Sequence, residues 1–163
     1  MSESKKSKSH RIILVSLIII LILSACYFFK TREVYKDVYS LDDGIVVKEI
    51  DIDRLRDKKL NDFITENNLA NGVFEYYYSK GDKHYILFNG VENTYKNVTF
   101  DLENKIFTIS YESQSTSGNS KLLYLIEKES GDAFDTIKLL NNNKEDYFIN
   151  VYTRATTPLS DKF

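Results

Sequence analysis

From Val73 onward, apolar residues recur at every second position, and a chain with that period buries them only by forming a sheet. Val73 to Tyr78 and His84 to Asn89 read as a hairpin around Ser79-Lys80-Gly81-Asp82. A second hairpin alternates Val98, Phe100 and Leu102 with polar residues, turns at Glu103-Asn104, and returns through Phe107, Ile109 and Tyr111. Asn104 suits a left-handed turn position. Leu122 to Glu127, Thr136 to Leu140 and Tyr147 to Tyr152 supply three more strands, and the chain from Thr153 reads as a tail.

Ahead of the alternation, Ile45 to Ile50 is a β-branched strand following Asp42-Asp43-Gly44. Ile52, Leu55, Leu60, Phe63 and Ile64 then recur at helical spacing, which predicts an amphipathic helix from Ile52 to about Glu66, capped by Asp51 or Asp53. Its opposite face, Arg54, Asp57, Lys58, Lys59, Asn61 and Asp62, reads as solvated. The expected fold is α+β: a mostly antiparallel β-sheet or open barrel of about seven to eight strands, with one N-terminal amphipathic helix packed on it.

Ile12 to Phe29 is almost continuously apolar and follows Lys5, Lys6, Lys8 and Arg11. A basic start, an apolar stretch to Ala25 and small residues before a cysteine form a secretory pattern. Leu23-Ser24-Ala25-Cys26 resembles the lipobox of bacterial lipoproteins, which implies lipidation at the Cys26 thiol and cleavage before it. The other reading keeps the segment as an uncleaved span, since Tyr27, Phe28 and Phe29 extend the run to eighteen residues, about 27 Å of helix. Lipidation is the favoured reading. Either way the leading positive charges hold the N-terminus inside and put residues from about 30 onward on the extracytoplasmic face of the cell membrane. The expected organisation is residues 1–25 as signal peptide or membrane segment, 26–43 as anchor and connector, 44–153 as the domain and 154–163 as a tail.

Charge and cysteine count narrow the functions. Lys5, Lys6, Lys8 and Arg11 against Glu3 give residues 1–25 a charge of +3, so a chain of −2 overall leaves −5 for the rest. An acidic domain offers no stripe for phosphates, which argues against nucleic acid, and against anionic membrane surface beyond the leader. Cys26 is the only cysteine and His84 the only histidine outside the leader, so thiolate zinc sites, His-based metal sites and catalytic triads lack parts. His84, after a glycine turn, reads as a surface residue. The carboxylate pairs Asp51/Asp53 and Glu145/Asp146 carry no spacing that marks chemistry. No catalytic, cofactor or metal residue is assigned, and no enzyme activity is expected.

One feature invites a ligand: the run Phe74, Tyr76, Tyr77, Tyr78, with Tyr85 and Phe88 following. Exposed rings stack on sugars, which makes Tyr77 and Tyr85 candidate contacts for a cell-wall glycan or small solute. Against this, Phe74, Tyr76 and Tyr78 share one face and suit a core. The order of strand, helix, Asn71-Gly72-Val73-Phe74 and Tyr85-Ile86-Leu87-Phe88-Asn89-Gly90-Val91-Glu92 resembles the PrcB-like family, extracytoplasmic accessory subunits of surface protease complexes. The chain has Asn93-Thr94-Tyr95-Lys96 where that family carries a Pro and Gly-rich segment, so the resemblance implies only a non-enzymatic sheet domain. The functional expectation is a membrane-anchored interaction domain that binds an envelope protein, with glycan or solute binding through the Tyr-rich hairpin as the alternative.

Overall fold

The computed structural model describes residues 14–24, 34–41, 44–65, 69–78, 83–116, 120–128 and 133–154. The chain divides into two units, Met1–Glu33 and Val34–Phe163. In the first, residues 14–24 are helical (α1), with the side chains from Leu14 to Leu23 largely exposed. No helix among the described residues is long and apolar enough to cross a membrane.

The second unit is α+β. It opens with β1 (Tyr35–Ser40) and β2 (Ile45–Ile50), then a 3-10 turn (Ile52–Arg54) and α2 (Lys58–Thr65). Two hairpins follow, β3 (Gly72–Tyr78) with β4 (Lys83–Gly90), and β5 (Asn93–Glu103) with β6 (Ile106–Ser115). Last come β7 (Ser120–Lys128), β8 (Thr136–Asn141), β9 (Lys144–Asp146) and β10 (Asn150–Arg154).

These strands form two sheets that do not close into a barrel: six strands in the order β1-β2-β7-β4-β3-β10, and four in the order β5-β6-β8-β9. The expected α+β class and mostly antiparallel pairing hold, while the expected single sheet or open barrel of about seven to eight strands is corrected in strand number and in sheet count. β10 runs parallel to β3 and β8 parallel to β6. Alternation marks a strand without naming its partner, so the crossovers leave no period to read. The chain changes sheets at Gly90, where a Cβ would stand 2.2 Å from the Asn93 carbonyl oxygen and 2.7 Å from that of Ser120. Only glycine lets these backbones approach so closely.

Asn104 and Lys105 have φ of 51° and 63°, and Asn142 and Asn143 have 52° and 62°. Positive φ at both central residues is the two-residue hairpin turn whose twist matches its strands, so the asparagines close β5–β6 and β8–β9. Asn97, at φ 53°, sits at the irregularity in β5 between Lys96 and Thr99.

The expected helix from Ile52 begins late. Asp57, not Asp51 or Asp53, caps it: its Oδ1 accepts the N–H groups of Lys59 at 3.0 Å and Leu60 at 3.1 Å. Residues 26–43, expected as a connector, contain edge strand β1, which pairs antiparallel with β2 from Tyr35 opposite Ile50 to Ser40 opposite Val46. Of the strand expected from Tyr147 to Tyr152, only Asn150 to Tyr152 are strand, in β10, because Tyr147 to Ile149 carry the chain from one sheet to the other. β10 continues through Thr153 to Arg154, and residues 155–163 lie outside the described residues.

The central strands of the six-stranded sheet are buried on both faces. On one, Ile45, Val47, Ile86, Phe88 and Ile126 pack with Phe107, Ile109 and Tyr111 of the four-stranded sheet. On the other, Leu60 and Ile64 of α2 pack with Phe74, Tyr85, Leu87, Leu123 and Leu125. This explains why Tyr85 to Phe88 is continuously apolar: β4 is a central strand covered on both sides.

Candidate functional site

The aromatic hairpin is mostly interior. Tyr85 is 5% exposed beneath α2, so the candidate ligand contact there is corrected. Tyr76, paired opposite Tyr85, packs its ring 5.5 Å from Phe63. Tyr77 points to the other face, where it is half-buried and stacked on His84 at 5.6 Å with 23° between the planes.

His84 is not the surface residue expected. Its Nδ1 lies 2.6 Å from Glu75 Oε1, and the two side chains are 12% and 11% exposed. The β3–β4 register creates the pair: Tyr77 stands opposite His84, and Glu75 follows two residues along on the same face. A carboxylate this buried requires a partner, and the Phe134 ring, 5.4 Å from His84, closes over it. The pair terminates the inter-sheet layer and holds the two strands in register.

Among the described residues no group of three or more His, Cys, Asp or Glu side chains could hold a metal. Asp51 and Asp53 border a cleft of about 260 Å³ with Lys36, Ile52 and Lys121. Glu145 and Asp146 border a groove of about 310 Å³ whose other walls include Ile106, Ile137, Tyr147 and Phe148. Asp146 is already committed: it accepts the Tyr111 hydroxyl at 2.6 Å and the Asn141 amide at 3.2 Å. Burial, and then this acceptor, hold the Tyr111 phenol well above its usual 10.0; Tyr95 and Tyr124 are raised too, in each case first by burial.

Of the lipobox-like residues, Leu23 and Ser24 fall in α1, the Ser24 hydroxyl donating to the Leu21 carbonyl at 2.9 Å, while Ala25 and Cys26 lie outside the described residues.

The feature that sequence reasoning missed is at the far edge of the six-stranded sheet. Tyr147 is 73% exposed, Ile149 55% and Val151 46%, while Phe148 and Tyr152 turn inward. This row runs from the 310 Å³ groove to β10, whose one partner among the described residues is β3. Its signal was present in Tyr147-Phe148-Ile149-Asn150-Val151-Tyr152, apolar at both parities next to the end of the sheet. Ile149 is seated by Gly72, at φ 145°, where a Cβ would stand 2.3 Å from Ile149 Cγ1. Its backbone N–H reaches the Val73 carbonyl at 2.8 Å, which starts the parallel pairing.

Comparison with protein-family models, curated proteins and solved structures finds no match to this chain.

Proposed function

We propose that the chain is a membrane-anchored extracytoplasmic domain, without catalysis of its own, that binds an envelope protein along the free edge of β10. The observation that carries this reading is the juxtaposition of a strand edge that is open among the described residues with the exposed row Tyr147, Ile149 and Val151. An open edge offers unpaired backbone groups to an added strand, and alternate apolar side chains give that strand specificity.

The anchor rests on the lipobox-like Leu23 to Cys26 and on the basic residues before it. Intact-mass analysis of the membrane-extracted protein, beside Cys26→Ala, tests it: a mature chain beginning at acylated Cys26 supports the lipoprotein, and an intact N-terminus supports the uncleaved span. The binding face is tested by crosslinked capture from membranes of the native host. The wild-type chain recovers a specific protein, and the Ile149→Lys/Val151→Lys double variant loses it while folding normally, since both side chains are half-exposed. Recovery of no specific partner, or the same recovery with the variant, refutes the reading. The glycan alternative gains nothing from a hairpin whose Tyr85 is buried and whose Tyr77 is stacked on His84.

A further inference from the structure

A strand at the rim of a sheet offers backbone groups to any other strand, and folded chains guard such rims with charge or irregularity. Of the four sheet edges among the described residues, three are guarded. β1 carries Lys36 and Asp37, both exposed. β5 carries exposed Lys96, Asp101 and Glu103, and its pairing is irregular between Lys96 and Thr99. β9 is three residues long and consists of Lys144, Glu145 and Asp146. β10 and its approach differ: from Tyr147 to Thr153 there is no charged residue.

The chemistry of that edge selects its occupant. The chain beyond residue 25 carries −5, from −2 overall and +3 before it, so two copies repel over most of their surface and an uncharged edge is where they can meet. A highly charged partner would find nothing there to attract it. The row is also self-complementary. Set antiparallel about a two-fold axis at Asn150, it places Val151 of one copy opposite Ile149 of the other, and Ile149 opposite Val151. These side chains are 46% and 55% exposed in the single chain, and each gains a matching apolar neighbour. Asn150, at the axis, has its Oδ1 on the Val151 N–H at 2.8 Å, an exposed local contact that a carbonyl of the incoming strand can replace. Pairing of this kind closes. It consumes the unguarded edge of each copy, so assembly stops at two.

We propose that the partner at the β10 edge is a second copy of this chain, paired antiparallel about a two-fold axis near Asn150; this rests on the reading of β10 as a binding edge. The six-stranded sheets of the two copies then run into one another.

The test uses the full-length chain in detergent, with two affinity tags to tell the copies apart and sedimentation to give the mass. Wild-type copies should recover each other and approach twice the single-chain mass as concentration rises. Val151→Lys and Ile149→Glu should each lower that recovery by about tenfold or more, because each sets two charges against apolar neighbours. Both variants should keep the wild-type circular dichroism, since the two side chains are half-exposed. Mixing the two variants should restore recovery to within about threefold of wild type, because the introduced Lys and Glu then stand opposite each other and the second Val–Ile contact is intact. A mixture as weak as either variant alone, or recovery that neither substitution lowers, overturns the two-fold pairing. A wild-type chain that stays monomeric, while crosslinked capture from membranes recovers a different protein through the same edge, overturns the second copy and leaves the binding edge standing. A monomer that captures no specific protein overturns both.

Discussion

The two faces of the six-stranded sheet are covered by different partners, and they solve burial differently. The face against the second sheet is filled with rings. Phe88, fully buried, has Tyr95, Tyr111 and Tyr124 at centroid distances of 5.3, 5.0 and 5.9 Å. Their hydroxyls enter the layer with them, so the layer also supplies acceptors: Asp146 for Tyr111 and, at 3.5 Å, Glu49 for Tyr124. The other face, under α2, mixes the aliphatic Leu60, Ile64, Leu87, Leu123 and Leu125 with the rings of Phe63, Phe74 and Tyr85, and its cover is a helix of only eight residues. Further along that same face, by the alternation of β7 through Leu123 and Leu125, stands Glu127 with Lys48 and Lys83. Two stacked sheets fix the width of the layer and demand rigid, fully satisfied filling; a short helix covers only part of a face and leaves the remainder to ion pairs.

Truncation tests the contrast most strongly. Phe88→Ala should cost about 3–5 kcal/mol, because neither sheet can settle into the gap. Leu60→Ala should cost about 2–3 kcal/mol, at the lower end for its type, since the short helix can move onto the sheet. Both are read from urea unfolding at neutral pH. Equal losses would break the comparison, and a larger loss for Leu60→Ala would reverse it.

Alkaline titration sharpens it on the inner face alone. A phenol whose folded pKa is raised contributes stability that is complete below the unfolded value of 10.0 and is lost as pH rises through the folded value. Tyr111 and Tyr124 lie far enough above 10.0 that the domain should unfold before they ionise. Tyrosinate absorbance should then rise in two stages, exposed phenols first and the buried ones only with the loss of circular dichroism. Tyr111→Phe should cost about 1.5–3 kcal/mol at pH 7, for the lost hydrogen bond to the Asp146 carboxylate. A single-stage absorbance rise in a still-folded domain would show the layer to be looser than its ring distances imply.

How much of this was legible beforehand follows from the same difference. Alternation and asparagine turns identified the β5–β6 hairpin and the β3–β4 pairing, because both signals are local. The coverage of each face was not local. Tyr85 was offered as a ligand contact because period 2 implies one solvated face, whereas a central strand buried on both sides puts Tyr85 under α2 and Tyr77 against His84. His84 looked superficial for the same reason: nothing near it in sequence announces that Phe134 folds over it. β1 escaped notice because edge strands need no apolar alternation, and Lys36 to Ser40 are all exposed. β10 was blurred because its pairing with β3 is parallel and joins residues far apart in the chain.

The smallest effect belongs to the part of the outer face that α2 leaves uncovered. Burial by itself would raise the Glu127 carboxyl, but hydrogen bonds and charge from Lys48 and Lys83, the latter at 2.9 Å, outweigh it and hold it below its usual 4.5. A carboxyl lowered on folding contributes stability that is present above the unfolded value and is lost as pH falls through the folded one. The wild-type domain should therefore weaken below about pH 4.5, and Glu127→Gln should flatten part of that slope. At pH 7 the same substitution should cost about 1 kcal/mol or less, because all three side chains reach water. Tyr111→Phe should leave this acid limb unchanged, just as Glu127→Gln should leave the alkaline limb unchanged. If either substitution moves the other limb, the two faces are coupled through the sheet and cannot be treated as separate layers.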